Sequence, residues 1–398
     1  MKVLVINAGS SSLKYQVIDM DTETMICKGL VERIGVKNSL LAHKKGSSEL
    51  KIKRPLDNHT MALQLVIEAL THKEYGVVND ISEIKAVGHR VLHSGEDFDR
   101  SVIIDEEVIR ICKKNAVLGP LHMPANIACI ESCREVMPST PMVAVFDTGF
   151  HSTMPQKAYM YAIPYEDYIK YKIRKYGFHG TSHKYVTGEA IKYLKKENSK
   201  IITCHLGNGS SLAAVVNGKC IDTSMGLTPL EGLVMGTRSG DVDATVVSFM
   251  VEQKGITAQE AVSILNKKSG FLGLSGVSDF RDLEVKAQSG DERAILAMDM
   301  FQYRIKKYIG SYVAAMGGLD MIVFTGGIGE NSNTARKLIM QGLECFGIDF
   351  DFEFNDKAPR SEFCELHKKN SKVKVVIIPT NEEVVIARET VELVGNMA

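Results

Sequence analysis

The chain has 398 residues, which is more than one compact core usually accommodates and suits two domains. Its 48 Lys and Arg residues balance 48 Asp and Glu residues, so no overall field would attract nucleic acid or an anionic membrane, and neither is expected as a partner. The eight cysteines are scattered without a CxxC pair, which disfavours zinc or disulfides and is typical of reduced, buried thiols in a cytoplasmic protein.

Strand-like and helix-like runs alternate along the chain, which predicts an α/β fold. Because strand-like residues begin at Lys2, no signal peptide is expected, and apolar runs such as residues 375–378 are too short to span a membrane. A capping box at Thr257 and Glu260 predicts a helix, and a helical face from Ile295 to Met316 predicts another. The predicted strands are residues 2–6, 13–19, 143–146, 201–204, 321–324 and 373–378.

One strand–turn–strand unit occurs twice. VLVINAGSSSLK begins at Val3, and IITCHLGNGSSLAAVV begins at Ile201. Coincidence is the alternative, because Gly/Ser turns between strands are common. Matching apolar strands on both sides of each turn favour a duplication, hence two related domains. We predict an N-terminal domain of residues 1–149 plus 384–398 and a C-terminal domain of residues 150–383.

Residues 7–14, NAGSSSLK, form a candidate phosphate-binding loop. Glycine allows close approach of the backbone to a phosphate, the serines supply donors, and Lys14 adds a positive charge. The spacing is not that of a Walker loop, and a plain hairpin with solvated serines is the alternative. Similar glycine-rich turns follow the strands near residues 205–211 and 324–331. Three such turns together favour a nucleotide site.

Two arginines, Arg90 and Arg238, lie in turns flanked by glycine. Arginine suits two-pronged binding of carboxylate or phosphate, although a surface salt bridge is its commoner role. Asp147 follows the strand at residues 143–146, where a carboxylate often points into a ligand crevice, or else caps a turn.

His179 and His183 are four residues apart, but no third metal ligand is evident, which disfavours zinc. His179 is interpreted as a donor in a polar pocket. Near the C-terminus, Thr380 and Glu383 have capping-box spacing, which leaves Glu382 to hold Mg²⁺ through water.

With these motifs the sequence resembles the acetokinase family of the actin/hexokinase/sugar-kinase superfamily. The resemblance covers essentially the whole chain and rests on these segments, in order: VINAGSSSLK, HRVLHSGE, PLHMPAN, FDTGFH, YGFHGTSH, TCHLGNGSSLAAVVNG, MGTRSGD, GVSDFRD, TGGIGEN and PTNEE. It implies a cytoplasmic homodimer whose duplicated actin-like (ribonuclease H-like) α/β domains face each other across a nucleotide cleft. It also implies reversible, Mg²⁺-dependent transfer of the γ-phosphoryl group of ATP to acetate, giving acetyl phosphate and ADP, with Mn²⁺ as an alternative metal.

The resemblance also implies roles for individual residues. Asn7 and Glu382 would surround the metal, and Lys14 would lie near the nucleotide phosphates. Arg90 would bind the acetate carboxylate, Arg238 and His179 would stabilise the transition state, and Asp147 would be the acidic catalytic residue. The methyl pocket would be formed by Leu92, Leu121, Phe178 and Pro229. The ATP site would comprise His205, Leu206, Gly207, Asn208, Gly209, Asp279, Phe280, Arg281, Gly327, Ile328, Gly329, Glu330 and Asn331.

Leu92 and Ser94 stand where the family pattern leads us to expect valine and glycine. A bulkier Leu92 should narrow the pocket and favour acetate, and a propionate or butyrate kinase is the alternative within the family. A sugar or polyol kinase is disfavoured, because an alcohol needs a general base and gives no reason for paired arginines. A non-catalytic nucleotide-binding protein of the actin or chaperone kind is the alternative from another class.

Overall fold

The computed structural model describes residues 1–120 and 122–396. The chain divides into two compact units. Unit 1 comprises Met1–Gly149 and Asn381–Ala398, and unit 2 comprises Phe150–Thr380. Among the described residues, no helix is both long enough and apolar enough to cross a membrane.

The elements are numbered in chain order. The strands are β1 (Lys2–Gly9), β2 (Ser12–Asp19), β3 (Thr24–Glu32), β4 (Leu40–Lys45), β5 (Ser48–Lys53), β6 (Ile84–Val91), β7 (Val102–Ile103), β8 (Met142–Phe146), β9 (Lys200–Leu206), β10 (Ser210–Val216), β11 (Lys219–Thr223), β12 (Met321–Thr325), β13 (Cys364–Glu365) and β14 (Lys374–Ile377). The α-helices are α1 (His59–Leu70), α2 (Glu106–Lys114), α3 (Met123–Val136), α4 (Gln156–Tyr159), α5 (Tyr165–Tyr171), α6 (Gly180–Leu194), α7 (Thr245–Lys254), α8 (Ala258–Lys267), α9 (Gly270–Ser275), α10 (Phe280–Gln288), α11 (Glu292–Met316), α12 (Gly326–Asn331), α13 (Asn333–Met340), α14 (Phe352–Lys357) and α15 (Glu382–Gly395). Short 3₁₀ helices lie at Ile81–Glu83, Asn115–Leu118, Gly149–Thr153 and Glu344–Phe346.

Unit 1 is built on a sheet with the strand order β5-β4-β3-β2-β1-β6-β8-β7. Strands β1 to β5 pair antiparallel, whereas β1, β6 and β8 run parallel. Because strand side chains alternate between faces, Leu4 and Ile6 join the core beneath α1 and α3, and Val3 and Val5 pack with α15. At the α15 contact, a Cβ on Gly88 would lie 2.5 Å from Thr390 Oγ1, so only glycine fits there.

Unit 2 contains a second sheet, ordered β11-β10-β9-β12-β14-β13. Again three antiparallel strands, β9 to β11, adjoin the parallel strands β12 and β14. Alternate residues serve two cores: Ile201 packs with Val186 of α6, and Ile202 packs with Ile305 of α11.

The two sheets share one topology. The order β3-β2-β1-β6-β8 in unit 1 is repeated as β11-β10-β9-β12-β14 in unit 2, with the same strand directions. The predicted α/β class and the duplication of actin-like (ribonuclease H-like) units are therefore confirmed.

Most local predictions also hold. Each of the six predicted strands is present, and Thr257 and Glu260 form the expected capping box. The long helix α11 ends at Gly317, but Ile295, predicted for its apolar face, is 41% exposed. The predicted capping box between Thr380 and Glu383 is wrong, because Asn381 caps α15 by accepting a hydrogen bond from the Val384 amide at 3.2 Å.

Candidate active site

A row of polar side chains crosses the centre of the unit 1 sheet. Asn7 of β1 lies directly opposite Lys14 of β2 on one side and Arg90 of β6 on the other. Directly paired residues point to the same face of a sheet, so the three side chains share one surface. They line a cavity of about 500 Å³ together with Glu382 and Glu383 from the first turn of α15. The sheet register therefore brings the predicted metal, phosphate and carboxylate residues of unit 1 together.

Arg90 is held by two carboxylates. Its Nε and Nη2 atoms donate to Asp147 Oδ1 at 2.8 Å and Oδ2 at 2.7 Å, and Nη2 lies 3.8 Å from Glu382 Oε2. Burial alone would lower the pKa of the guanidinium, but the charges of Asp147 and Glu382 outweigh it and raise that pKa. The Nη1 group makes no hydrogen bond with any described residue, so two N–H donors remain for a ligand carboxylate.

Glu383 is a cavity residue that the sequence did not predict. Burial, and then the neighbouring charge of Glu382, raise its pKa above the usual value. Two adjacent carboxylates beside the Asn7 amide are oxygen ligands of the kind Mg²⁺ prefers, in the small number that it takes when substrate phosphates complete its shell. Among the described residues, no group of three or more His, Cys, Asp or Glu side chains could hold a metal by itself. The residues present therefore fit Mg²⁺ bound jointly with a phosphorylated substrate.

Leu92 lies two residues after Arg90 and is half-buried. A Cβ on Gly119 would lie 2.6 Å from Leu92 Cδ2, so the leucine packs directly on that backbone. Its amide donates to Asn126 Oδ1 at 3.0 Å, and Asn126 Nδ2 donates to the Ala8 carbonyl at 2.8 Å. Asn126, which the sequence did not single out, thus links the candidate phosphate loop to Leu92, two residues after Arg90. Leu121, the other predicted pocket residue of unit 1, lies outside the described residues.

Unit 2 contains a separate cavity of about 690 Å³. Eight of the thirteen residues predicted for the ATP site line it: Gly207, Asn208, Asp279, Phe280, Arg281, Gly327, Ile328 and Asn331. The sequence did not predict its other lining residues: Phe271, Ser278, Glu284, Ser332 and Arg360. The cavity has the mixed polar and aromatic lining that suits a nucleoside.

The glycine-rich segment after β12 is helical and not a turn as predicted, since α12 spans Gly326–Asn331. Gly326 has φ 77°, and a Cβ there would lie 2.8 Å from the Leu206 carbonyl oxygen. Glu330 accepts hydrogen bonds from the amides of Gly326 at 2.9 Å and Thr380 at 3.1 Å. Glu330 therefore fixes the backbone behind the cavity. Asp279 lies on the cavity wall, and hydrogen bonds from the side chain and backbone amide of Arg281 lower its pKa to about 2.

Arg238 and His179 approach one point in unit 2. A Cβ on Gly209 would lie 3.5 Å from both Arg238 Nη1 and His179 Nε2. Arg238 donates to the Pro229 carbonyl at 3.3 Å, and no described carboxylate forms a salt bridge with it. Burial lowers the pKa of Arg238. A largely buried cation without a carboxylate partner is suited to an anionic ligand.

The histidines around this point contact one another. The His179 and His205 rings stack with centroids 4.2 Å apart, and Ser182 Oγ lies 2.8 Å from His205 Nδ1. Phe178 is 1% exposed, and its carbonyl oxygen lies 2.9 Å from His151 Nε2. The buried ring of Phe178 and the contact of its carbonyl with His151 therefore fix the backbone immediately before His179.

Residues 2–388 match the model of the acetokinase family. The chain is 57% identical to an acetate kinase of Thermoanaerobacter pseudethanolicus, with both sequences covered completely. The crystal structure of acetate kinase from Porphyromonas gingivalis is similar, with a TM-score of 0.95 and 44% identity over 99% of each chain. A propionate kinase from Francisella tularensis has a TM-score of 0.92 and 42% identity, covering 98% of this chain and 99% of its own.

Proposed function

The chain belongs to the acetokinase family. We propose that it transfers the γ-phosphoryl group of ATP reversibly to acetate by direct in-line displacement, giving acetyl phosphate and ADP. It is a phosphotransferase with a carboxyl group as acceptor. The observation that carries the proposal is Arg90, held by Asp147 with its Nη1 donors unused by described residues, in the same cavity as Lys14. This arrangement favours a small carboxylate beside a phosphate.

The acceptor needs orientation and not deprotonation. A carboxylic acid is already ionised at neutral pH, so its oxygen can attack phosphorus without a general base. Both oxygens of Asp147 are engaged by Arg90, which supports a role in fixing the guanidinium and not in abstracting a proton. Arg90 then presents acetate while its charge offsets the repulsion between two anions.

Arg238 and His179 are assigned to the transferring phosphoryl group. Its three equatorial oxygens carry charge in the transition state, and two donors directed at one point can stabilise them. Lys14 is assigned to the nucleotide phosphates, and Asn7 and Glu382 to Mg²⁺. When bound, Mg²⁺ would neutralise charge on the phosphates. The glycine-rich cavity of unit 2 would bind the nucleoside.

A propionate kinase is the second candidate. The Francisella tularensis protein called a propionate kinase is nearly as similar to this chain as the Porphyromonas gingivalis acetate kinase is. Leu92 favours the smaller acid, since it is one methylene larger than valine at the proposed methyl pocket. A non-catalytic nucleotide-binding protein would not require the positioned Arg90.

We also propose that the protein is a cytoplasmic homodimer with two domains, residues 1–149 plus 384–398 and residues 150–383. The two compact units support this division, although unit 1 resumes at Asn381. The surface of unit 2 supports a self-association site: none of the ten described residues of α7 is buried, Phe249 is 64% exposed, and Tyr303 of α11 is 63% exposed. Phe249→Glu should convert the dimer to a monomer in light scattering. A dimer that persists in Phe249→Glu and in Tyr303→Glu would place the interface elsewhere.

Trapping the product tests the activity. Hydroxylamine converts an acyl phosphate to a hydroxamate, so ATP, Mg²⁺ and enzyme are incubated with acetate, propionate, butyrate or no acid. We expect most hydroxamate with acetate and none without acid. More product with propionate or butyrate would reassign the substrate, and no acid-dependent product would favour the non-catalytic protein.

A further inference from the structure

A chain of buried hydrogen bonds ends on the side chain of His179. His179 Nδ1 lies 2.9 Å from Ser211 Oγ, and the same hydroxyl lies 2.8 Å from Nε2 of His183. His183 Nδ1 is in turn 2.7 Å from Thr203 Oγ1. Ser211, His183 and Thr203 are each 0% exposed, so the two links among them are shielded from water, whereas His179 at the end of the chain is half-buried.

The backbone of His179 is constrained as well. The residue precedes α6 with φ 59°, a left-handed conformation that residues other than glycine rarely adopt. Just before it, Gly177 has φ 78°, and a Cβ there would lie 2.4 Å from Thr223 Cγ2. His151 Nε2 lies 2.9 Å from the Phe178 carbonyl oxygen. The turn is thus fixed by its packing, and one torsionally mobile group remains, the imidazole ring.

The ring is the part that must point correctly. His179 Nε2 is directed toward the point near Gly209 that Arg238 Nη1 also approaches. Rotation of the ring by a few tens of degrees would take Nε2 away from that point. The hydrogen bond at Nδ1, on the opposite side of the ring, opposes this rotation, and the stacking of the ring on His205 leaves Nδ1 facing Ser211.

Ser211 is suited to hold the ring in either protonation state. A hydroxyl can donate to a neutral Nδ1 or accept from a protonated one, and His183 Nε2 can take the complementary role. Burial, and then the neighbouring His151 and His205, hold the pKa of His183 well below its usual value. His183 therefore stays neutral and keeps one nitrogen as an acceptor, which an ammonium or a charged imidazole could not do.

We propose that Ser211 and His183 are positioning residues for phosphoryl transfer, which orient His179 Nε2 through the Thr203–His183–Ser211–His179 chain of hydrogen bonds. The proposal rests on the assignment of His179 to the transferring phosphoryl group. It goes beyond that assignment because Ser211 and His183 are fully buried and would act through the side chain of His179.

Ser211→Ala removes the link to the ring. We expect kcat to fall about 10- to 100-fold, since a misplacement of about 1 Å can cost about a hundredfold. The KM values for ATP and acetate should change less than about threefold, because the interaction acts in the transition state. Thr187→Val is the matched control, because it also removes a buried hydroxyl. Thr187 lies one helical turn after His183 in α6, is 3% exposed, and its Oγ1 has no hydrogen-bond partner among the described residues. Its kcat should equal that of the wild type.

His183 allows a sharper test. A glutamine amide reaches the position of Nε2 and can still meet Ser211, whereas an asparagine amide ends near Nδ1 and can meet only Thr203. If His183 orients His179 through Ser211, the kcat of His183→Gln should be at least about fivefold higher than that of His183→Asn. His183→Gln would then retain part of the activity that Ser211→Ala loses. A purely structural role of the Thr203 contact predicts the reverse order. Urea unfolding midpoints of all variants identify losses caused by instability.

Wild-type kcat in Ser211→Ala would overturn the proposal, and so would equal kcat values in folded His183→Gln and His183→Asn. If neither His183 variant folds, Ser211→Ala with Thr187→Val decides alone. Failure of the activity itself is distinguishable, because the wild-type enzyme would then form no acyl phosphate with any acid.

Discussion

Asp147 holds Arg90 by two parallel hydrogen bonds, from Nε to Oδ1 at 2.8 Å and from Nη2 to Oδ2 at 2.7 Å. Asp147 is 1% exposed and follows β8, the strand adjacent to that of Arg90. A bidentate pair fixes the plane of the guanidinium as well as its position. We infer that Asp147 acts by holding Arg90 in place, so that binding of the carboxylate substrate depends on the Arg90–Asp147 pair being intact.

Replacing Arg90 should impair use of the acid. We expect Arg90→Ala to lower kcat/KM for acetate about 100- to 1000-fold, and Arg90→Lys to restore little, because lysine cannot form the two-pronged pair. Asp147→Asn should add little to Arg90→Ala, since contacting residues are not additive. Arg110→Ala is the control: Arg110 forms the same type of pair with Glu107 on an exposed helix surface. An unchanged kcat/KM in Arg90→Ala would remove Arg90 from the acid site.

Leu92 should set the preference for chain length. We expect Leu92→Val to raise the ratio of kcat/KM for propionate to that for acetate about tenfold, because one methylene in an apolar pocket is worth about 10- to 200-fold. Leu50→Val, another half-buried leucine of unit 1, should leave the ratio unchanged. A ratio that stays constant in Leu92→Val would show that Leu92 does not contact the alkyl group.

Arg238 should matter mainly in the transition state. Arg238→Ala is expected to reduce kcat about 100- to 1000-fold while the KM for acetate changes little. Arg293→Ala removes an exposed arginine of unit 2 and should have no effect on kcat. A rise in the KM for acetate with kcat preserved would instead assign Arg238 to ground-state binding of the acid.

Stability should decrease in mild acid. Burial lowers the pKa of His89 to about 3 and of His151 to about 4, and it holds that of His183 well below normal. In the unfolded chain each titrates near pH 6.5, so below that pH the unfolded state binds protons that the folded state does not. The free energy of unfolding should therefore fall as the pH is lowered, and its slope should approach about 1.4 kcal/mol per pH unit for each histidine well below pH 6.5.

Urea unfolding at pH 7.5, 6.5 and 5.5 measures this dependence. His89→Gln should reduce the slope, because His89 is buried and its Nε2 has no partner among the described residues. His72→Gln, which changes an exposed histidine, should leave the slope unchanged. An equal slope in His89→Gln and the wild type would show that burial of His89 is not the cause.

The central strands could be predicted from the sequence because they are almost wholly apolar. The burial of β8 and β12 is complete, and such runs between turns are recognisable without a partner. In contrast, β5 contains only exposed and half-buried residues and was not predicted. Its pairing with β4 comes from the hairpin between them and not from an apolar pattern.

The sequence also predicted Asn7, Lys14, Arg90 and Glu382, which line one cavity, because each lies in a distinctive motif. It did not reveal Asn126, whose amide donates to the Ala8 carbonyl 118 residues away. Nor did it reveal Ser211 as the partner of His179, 32 residues away. These contacts depend on how strands and helices pack, and a single serine or asparagine has no local pattern that distinguishes it from a turn residue.

Direct transfer between ATP and the acid is the central claim, and the stereochemical course at phosphorus tests it most directly. With ATP made chiral at the γ-phosphorus by oxygen isotopes, a single in-line displacement predicts acetyl phosphate with inverted configuration. Net retention would require two displacements through a phosphorylated enzyme and would contradict the role assigned to Arg90 of presenting acetate to the γ-phosphoryl group.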